Sequence, residues 1–360
     1  MSIIESLRIN QVRNIAQLEL DCHPQFTLIH GENGSGKTSI LEAIHLLANG
    51  RSFRTSATES LINNDANEAV VFAQLAGGHR VGISRSRNDK KQLRLDESVQ
   101  SNWDDVARLL PVLVLDASAF LLLEGGPRAR RQFMDWGVFH VEPTFLTAWR
   151  RFRKSLANRN HLLKQPRPAF DQIQVWDKEL ITAAELVDQC RDQYLAALLP
   201  VFRSVYSDIA GERAMDLSIT YYRGWDAEKS LAEVFVQSRD MDCKYRATQF
   251  GPQRADVTIK TGKHKALEVL SRGQQKLLVS ALKIAQGQLL ADSNGRHSVY
   301  LVDDLPAELD QGNRESVLAT LAGLKSQLFV TCVDKDSFNS GQQKATEMAS
   351  FHVERGKINT

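Results

Sequence analysis

Apolar residues at strand spacing open the chain: residues 3–10 and 16–21 read as two short strands around Gln11-Val12-Arg13-Asn14. Phe26-Thr27-Leu28-Ile29-His30 is a nearly unbroken apolar run, the pattern of a buried strand, and residues 38–47 follow it at helical spacing. Strand character returns at residues 70–75, 80–86 and 92–95, a meander edged by Arg85, Arg87, Lys90, Lys91 and Arg94. Alternate strand positions share a face, so Arg85 and Arg87 are expected to project together. Further strands are expected at residues 112–115, 217–222, 257–260, 298–304 and 327–331, helices at 227–239 and 277–290, and a closing hairpin from 351–353 and 356–358.

The middle of the chain changes period. Phe145, Trp149, Phe152 and Leu156 recur at spacings of four, three and four, while Arg150, Arg151, Arg153, Lys154 and Arg159 are expected on the other faces. From Trp176 the series Leu180, Ala183, Val187, Cys190, Tyr194, Ala197 and Val201 keeps a coiled-coil repeat. Pro166-Arg167-Pro168 cannot continue either helix. Two antiparallel helices joined by a proline-bearing turn follow, an arm reaching roughly 30–40 Å. The expected organisation is an α/β head whose N-terminal half covers residues 1–140 and whose C-terminal half covers 241–360, with the helical arm, 141–240, between them.

Chemistry enters at Gly31-Glu32-Asn33-Gly34-Ser35-Gly36-Lys37-Thr38, which fits the phosphate-binding loop pattern and stands between a buried strand and a helix. Backbone N–H groups there are expected to cradle phosphate oxygens, Lys37 to reach the terminal phosphates and the Thr38 hydroxyl to hold Mg²⁺. The formal charge of +2 argues neither for nor against nucleic acid, so any such surface must come from local clusters. Arg51 and Arg54 lie in a Gly-led turn. Arg128, Arg130 and Arg131 open a helix, where positive charge opposes the macrodipole and an anionic partner is the better reading. No apolar run approaches the ~20 residues that cross a bilayer and no signal segment is visible, so the expectation is a cytoplasmic protein with no membrane partner. Cys22, Cys190, Cys243 and Cys332 are scattered without a C-x-x-C pair, and reduced thiols are expected.

Ser271-Arg272-Gly273-Gln274 resembles the signature loop of ATP-binding-cassette ATPases, with Arg272 where glycine is usual. It precedes the apolar strand that ends in Asp303-Asp304. In that group Asp303 corresponds to the Walker-B aspartate that helps hold Mg²⁺. Asp304 takes the place of the acidic residue, usually glutamate, that orients the attacking water, and its shorter side chain implies slow hydrolysis. Ala307-Glu308-Leu309-Asp310 resembles the D-loop, with Asp310 at a subunit interface. The resemblance implies that Ser271, Gly273 and Gln274 complete the ATP site of a second copy, giving an ATP-dependent homodimer.

Arg13-Asn14, Leu41-Glu42-Ala43-Ile44, Gly50-Arg51-Ser52-Phe53-Arg54, Gly126-Pro127 through Asp135, Gly251-Pro252-Gln253-Arg254-Ala255-Asp256 and residues 270–274 together resemble the RecF family of SMC-like ATPases over essentially the whole length. This resemblance implies a weak, DNA-dependent ATPase that binds double-stranded and gapped or junction DNA in recombinational repair and replication restart, working with RecO and RecR to load recombinase. The expected DNA surface comprises Arg51, Arg54, Arg85, Arg87, Lys90, Lys91, Arg128, Arg130 and Arg131. There is no glutamine near Leu115-Asp116-Ala117 and no histidine after Thr331-Cys332, where the transporter ATPases carry their Q-loop and switch residues; Gln253 and Ala307 stand where histidine and serine are expected. The alternative is a transporter-type ATPase subunit driving a non-DNA partner. A nuclease-associated head would need catalytic chemistry that no His/Asp cluster in the sequence supplies.

Overall fold

The computed structural model describes residues 3–55, 57, 59–88, 90–116, 120–304, 310–335 and 348–359. The chain forms two compact units, one from Met1–Ala119, Ser204–Glu212 and Lys276–Thr360, the other from Phe120–Arg203 and Arg213–Gln275.

The first unit holds two six-stranded sheets. One is antiparallel and built mostly from neighbours in sequence: β1 (Ile4–Val12), β2 (Ile15–Asp21), β4 (Glu68–Leu75), β5 (Arg80–Ser86), β6 (Lys91–Leu95) and β7 (Ser98–Gln100), in the order β2-β1-β4-β5-β6-β7. Its strands alternate, with Leu7, Ile9, Val71, Ala73, Val81, Ile83 and Leu93 all buried on one face. The other sheet has the order β15-β14-β3-β13-β12-β8, from β3 (Phe26–His30), β8 (Val112–Leu115), β12 (Val299–Val302), β13 (Gln327–Cys332), β14 (Ala349–Glu354) and β15 (Lys357–Asn359). Here β14, β3, β13, β12 and β8 are parallel and only β15 is antiparallel. All four residues of β12 and all six of β13 are buried, which explains the apolar runs at 299–302 and 328–330.

Helix α1 (Lys37–Asn49) packs with both sheets: Ile40, Leu41, Ile44 and Leu47 join Leu7, Ile9 and Val71 of one and Ile29, Leu301 and Phe329 of the other in one core. Gly50 ends it in the left-handed conformation, φ 66°, beneath Trp103, which a Cβ at Gly50 would strike at 2.4 Å. Gln327, 1% exposed, ties the sheets together: its side chain accepts from Ile4 N–H (2.8 Å) and donates to the carbonyls of Ile4 (2.8 Å) and His23 (2.9 Å). The short α2 (Asp104–Leu109) leads into β8.

The second unit holds α3 (Leu121–Glu124), α4 (Gly126–Val141), α5 (Phe145–Leu163), most of α6 (Phe170–Ala210), α7 (Leu231–Gln237), α8 (Arg239–Tyr245), α9 (Ala266–Val269) and the three-stranded sheet of β9 (Ser218–Tyr222), β10 (Asp256–Thr261) and β11 (His264–Lys265). Helix α10 (Arg272–Asn294) starts at its C-terminal boundary. Contacts of Thr144 with Cys190, Arg151 with Glu179 and Arg159 with Asp177 run in opposite directions along α5 and α6, so the pair is antiparallel.

Three expectations about this region change. Arg159 does not face outward: it is 2% exposed, bonds Asp177, Asp242 and Thr248, and lies 4.6 Å from the Phe235 ring centroid. The α6 seam leaves the seven-residue repeat after Tyr194. Ala197 is exposed and Val201 half-buried, while Leu198, Phe202, Val205 and Ile209 carry the buried stripe, because a straight helix drifts against a strict heptad. The helix expected at 227–239 is two, since Ser230 and Glu233 form a reciprocal cap that starts α7 at Leu231, and α8 starts after Ser238.

Candidate functional site

All five parallel strands end at one edge of their sheet, and the loops leaving that edge carry the chemistry. The Gly31–Thr38 segment leaves β3. Gly31, Gly34 and Gly36 adopt φ 148°, 79° and 120°, left-handed or extended-positive conformations that a side chain would strain. A Cβ on Gly31 would sit 2.2 Å from the Val353 carbonyl oxygen, whereas one on Gly34 would meet nothing within 4 Å, so the loop is fixed below and open above.

The β1–β2 turn braces this loop. Asn14 donates from Nδ2 to the Gly34 carbonyl (3.0 Å), accepts from Ser39 Oγ (3.1 Å) and lies against Gly36. Arg13 in turn forms a two-pronged pair with Glu42 of α1 (2.9 and 2.7 Å), whose carboxylate is fully buried. Arg13 and Asn14 were legible only as part of the family pattern; nothing in their types alone points to a loop brace.

Lys37 donates Nζ to the carbonyls of Gly31 (2.7 Å) and Glu32 (2.9 Å), folding its ammonium back into the loop. Burial lowers its pKa, opposed by the carboxylates of Asp304 and Asp303. Ser35 Oγ is buried with no partner among the described residues, a polar atom of the kind a bound phosphate oxygen would satisfy. Two strands away, β12 delivers Asp303. Its Oδ1 accepts from Thr38 Oγ1 (3.0 Å) and from Thr331 Oγ1 (2.8 Å), the latter at the end of the intervening strand β13. Burial raises the pKa of Asp303, and the bonds from Thr331 and Thr38 work against that rise. Asp304 follows at φ 47° and its N–H donates to the same Thr331 hydroxyl (2.8 Å). The structure thus brings Lys37, Thr38, Asp303 and Asp304 together, and adds Thr331. An oxygen set of hydroxyl and carboxylate fits Mg²⁺.

The signature segment lies in the other unit. Ser271 and Gln274 cap α10 reciprocally: Ser271 N–H donates to Gln274 Oε1 (2.9 Å) and Gln274 N–H to Ser271 Oγ (3.3 Å). Ser271 is exposed, and a Cβ on Gly273 would meet nothing within 4 Å. Arg272 is paired with Glu124 and its guanidinium lies 5.2 Å from the Phe120 ring centroid. Asp310 caps the helix Gln311–Gly323 by accepting from Asn313 N–H (3.0 Å); Ala307, Glu308 and Leu309 lie outside the described residues.

The expected DNA cations divide. Arg130 forms a two-pronged pair with Asp256 (2.7 and 2.9 Å) and Arg131 donates to the Ala255 carbonyl (2.7 Å). Arg87 donates to the carbonyls of Ala66 (2.8 Å) and Asn63 (3.0 Å), and Arg85 to that of Gly50. These four have structural work inside their own units, which also explains how Arg130 and Arg131 are tolerated near the start of α4. Arg51, Arg54, Lys90, Lys91 and Arg128 are exposed, Arg54 lying 3.9 Å from Glu42 and Lys91 5.3 Å from the Trp103 ring centroid.

The family sequence model "RecF/RecN/SMC N terminal domain" matches residues 3–358. The DNA replication and repair protein RecF of Pseudomonas syringae pv. tomato is 43% identical over 359 residues, 99% of this chain and 97% of that protein. The chain belongs to the RecF family. RecF of Pseudomonas putida is 41% identical over the same span. Among solved structures, the recombination mediator protein RecF with ATP superposes at a TM-score of 0.86 with 23% identity, covering 99% of this chain and 97% of that one. An Smc head domain from Pyrococcus furiosus superposes at 0.59 with 15% identity, covering 100% and 96%. RecF-family membership and the shared SMC-like head architecture agree with the α/β ATPase head and helical arm expected from the sequence. No described helix is long and apolar enough to cross a membrane.

Proposed function

We propose that the chain is an ATP-dependent DNA-binding protein of recombinational repair and replication restart, which closes as a dimer on gapped or junction DNA, hydrolyses ATP slowly and acts with RecO and RecR. The observation that carries the reading is the shared anchoring of Asp303 by Thr38 and Thr331 beneath a phosphate loop whose Lys37 is held ready by its own carbonyls. Thr38 and Asp303 would hold Mg²⁺, which when bound neutralises phosphate charge. Lys37 exchanges its carbonyl partners for phosphate oxygens, and Asp304 orients water. The exposed, open Ser271–Gly273 turn suits a phosphate presented by a second copy.

DNA retardation on gapped duplex with and without ATP tests the reading. The five exposed cations give an expected log–log salt slope of about −4 to −5 for ATP-dependent binding. ATP-independent or salt-insensitive retardation would refute it, and a transporter-type ATPase would retard no DNA.

A further inference from the structure

The outward face of the antiparallel sheet has an unusual profile. On β5 the outward residues after Arg80 are Gly82, Ser84 and Ser86, all small, while the strands on either side carry large ones. Phe72 of β4 and Arg94 of β6 stand directly across from Gly82 on its two sides. The Phe72 ring reaches over the glycine: a Cβ there would lie 3.7 Å from its Cδ2. The result is a trough with a floor one strand wide. It contains a cavity of ≈ 460 Å³ bounded by Arg8, Phe72, Arg80 and Arg94, and one of ≈ 910 Å³ bounded by Ser84, Ser86, Lys90 and Gln92.

Its dimensions and charge select an occupant. From Arg80 to Ser86 the trough runs roughly 20 Å, and two strand spacings make it roughly 10 Å wide. A duplex, whose major groove alone is about 12 Å wide, does not enter it. Arg94 has no partner among the described residues, and Lys90 and Arg80 are exposed nearby. The nearest acidic neighbours are committed: Glu19 pairs with Arg8 (2.6 Å), and Asp96 accepts from Arg80 N–H (2.9 Å) and contacts His79 (3.2 Å); Glu5 accepts from Gln74 (3.4 Å) at one end, and Asp21, opposite Ser6, and Glu68 stand at the rims. An aromatic ring on one wall and cations on the other match a chain with flat rings on one side and phosphates on the other.

We propose that this trough binds a single unpaired nucleic-acid strand, with one base stacked on Phe72 and the phosphates following Arg80, Arg94 and Lys90. It rests on the DNA-binding reading above and assigns the part of a gap or junction that duplex contacts leave over.

The test titrates full-length protein, with ATP and Mg²⁺, against a fluorescent oligothymidylate, an abasic strand of equal length and a blunt duplex. Phe72→Leu, which still covers Gly82, should weaken oligothymidylate binding by about 5- to 150-fold and leave duplex binding within about twofold, while Phe72→Trp retains it. Arg94→Ser should reduce the single-strand salt slope by about 0.7. Unchanged oligothymidylate binding by Phe72→Leu overturns the proposal while leaving the DNA-binding reading in place. So does an abasic strand that binds as tightly as oligothymidylate, or displacement of the oligonucleotide by an acidic peptide that Phe72→Leu does not weaken, since the trough then holds any extended polyanion. Wild-type protein that binds none of the DNAs overturns both.

Discussion

Thr331→Val keeps the β-branched shape that suits buried β13 and exchanges only a hydroxyl for a methyl. That hydroxyl donates to Asp303 (2.8 Å) and accepts from Asp304 N–H (2.8 Å). A hydrogen bond to a charged group contributes about 1.5–3 kcal/mol, and a buried N–H left unpaired costs about 1–3 kcal/mol. Because one atom serves both, the terms are coupled rather than additive, and a total of about 2–4 kcal/mol is expected. The direct assay is hydrogen exchange at the Asp304 amide, which should accelerate by about 30-fold or more in the variant, since each factor of ten corresponds to about 1.4 kcal/mol. The melting temperature should fall by about 2–4 °C for each kcal/mol lost. ATP affinity in Mg²⁺ should drop by about tenfold as Asp303 loses one of its two anchors, on the scale of one hydrogen bond. Thr331→Ser restores the hydroxyl and should recover all three. Unchanged Asp304 exchange together with an unchanged melting temperature would refute the bridging role.

Lys37→Ala should abolish ATP binding, measured by equilibrium titration. Ser271→Ala should bind ATP nearly as well as wild type yet sediment as a monomer with ATP; an ATP-dependent dimer of that variant contradicts the proposed interface. Gly137→Ala should destabilise the protein by about 1–3 kcal/mol, since its Cβ would lie 1.9 Å from Tyr194 Oη, and Tyr194→Phe should recover part of the loss in urea denaturation. His45 has its pKa lowered by burial from 6.5 to about 4, its Nδ1 facing the Arg51 carbonyl (2.8 Å) and its ring edge-on to Phe53. The unfolded chain therefore takes up the proton first, so stability should fall as pH drops from about 6.5 towards about 4, by at most about 3 kcal/mol. His45→Asn should flatten that slope in denaturation curves taken across the window.

The strands β3, β12 and β13 were readable because strands buried on both faces are largely apolar runs, and the Gly31–Thr38 loop because its glycines and lysine stand at the spacing of a known pattern. Thr331 was not readable. A threonine ending an apolar strand gains meaning only when β13 lies between β3 and β12, a pairing that joins distant parts of the chain. Arg159 misled for a related reason. Its charge argued for an outer face, yet it lies seven residues after buried Phe152, and Asp177, Asp242 and Thr248 satisfy its guanidinium there. Of the arginines near the start of α4 that were read as facing an external anion, Arg130 and Arg131 have the Asp256 carboxylate and the Ala255 carbonyl as partners, and Arg128 stays exposed.

The placement of β13 has a further consequence, for how the protein is made. The antiparallel sheet is complete once residue 100 has emerged, but the strand carrying the phosphate loop, Phe26–His30, has β13 on one side and β14 on the other, both from the last part of the chain. At translation rates of about 5–20 residues per second, β3 waits roughly 15–60 s for β13. Throughout that interval an apolar strand has both edges unpaired, a state prone to pairing with other chains. Gln327, reaching back to Ile4 and His23, is then a late latch that joins the C-terminal part of the chain to its beginning. Ribosome-stalled chains ending before residue 327 should therefore hold a folded antiparallel sheet and no ATP site.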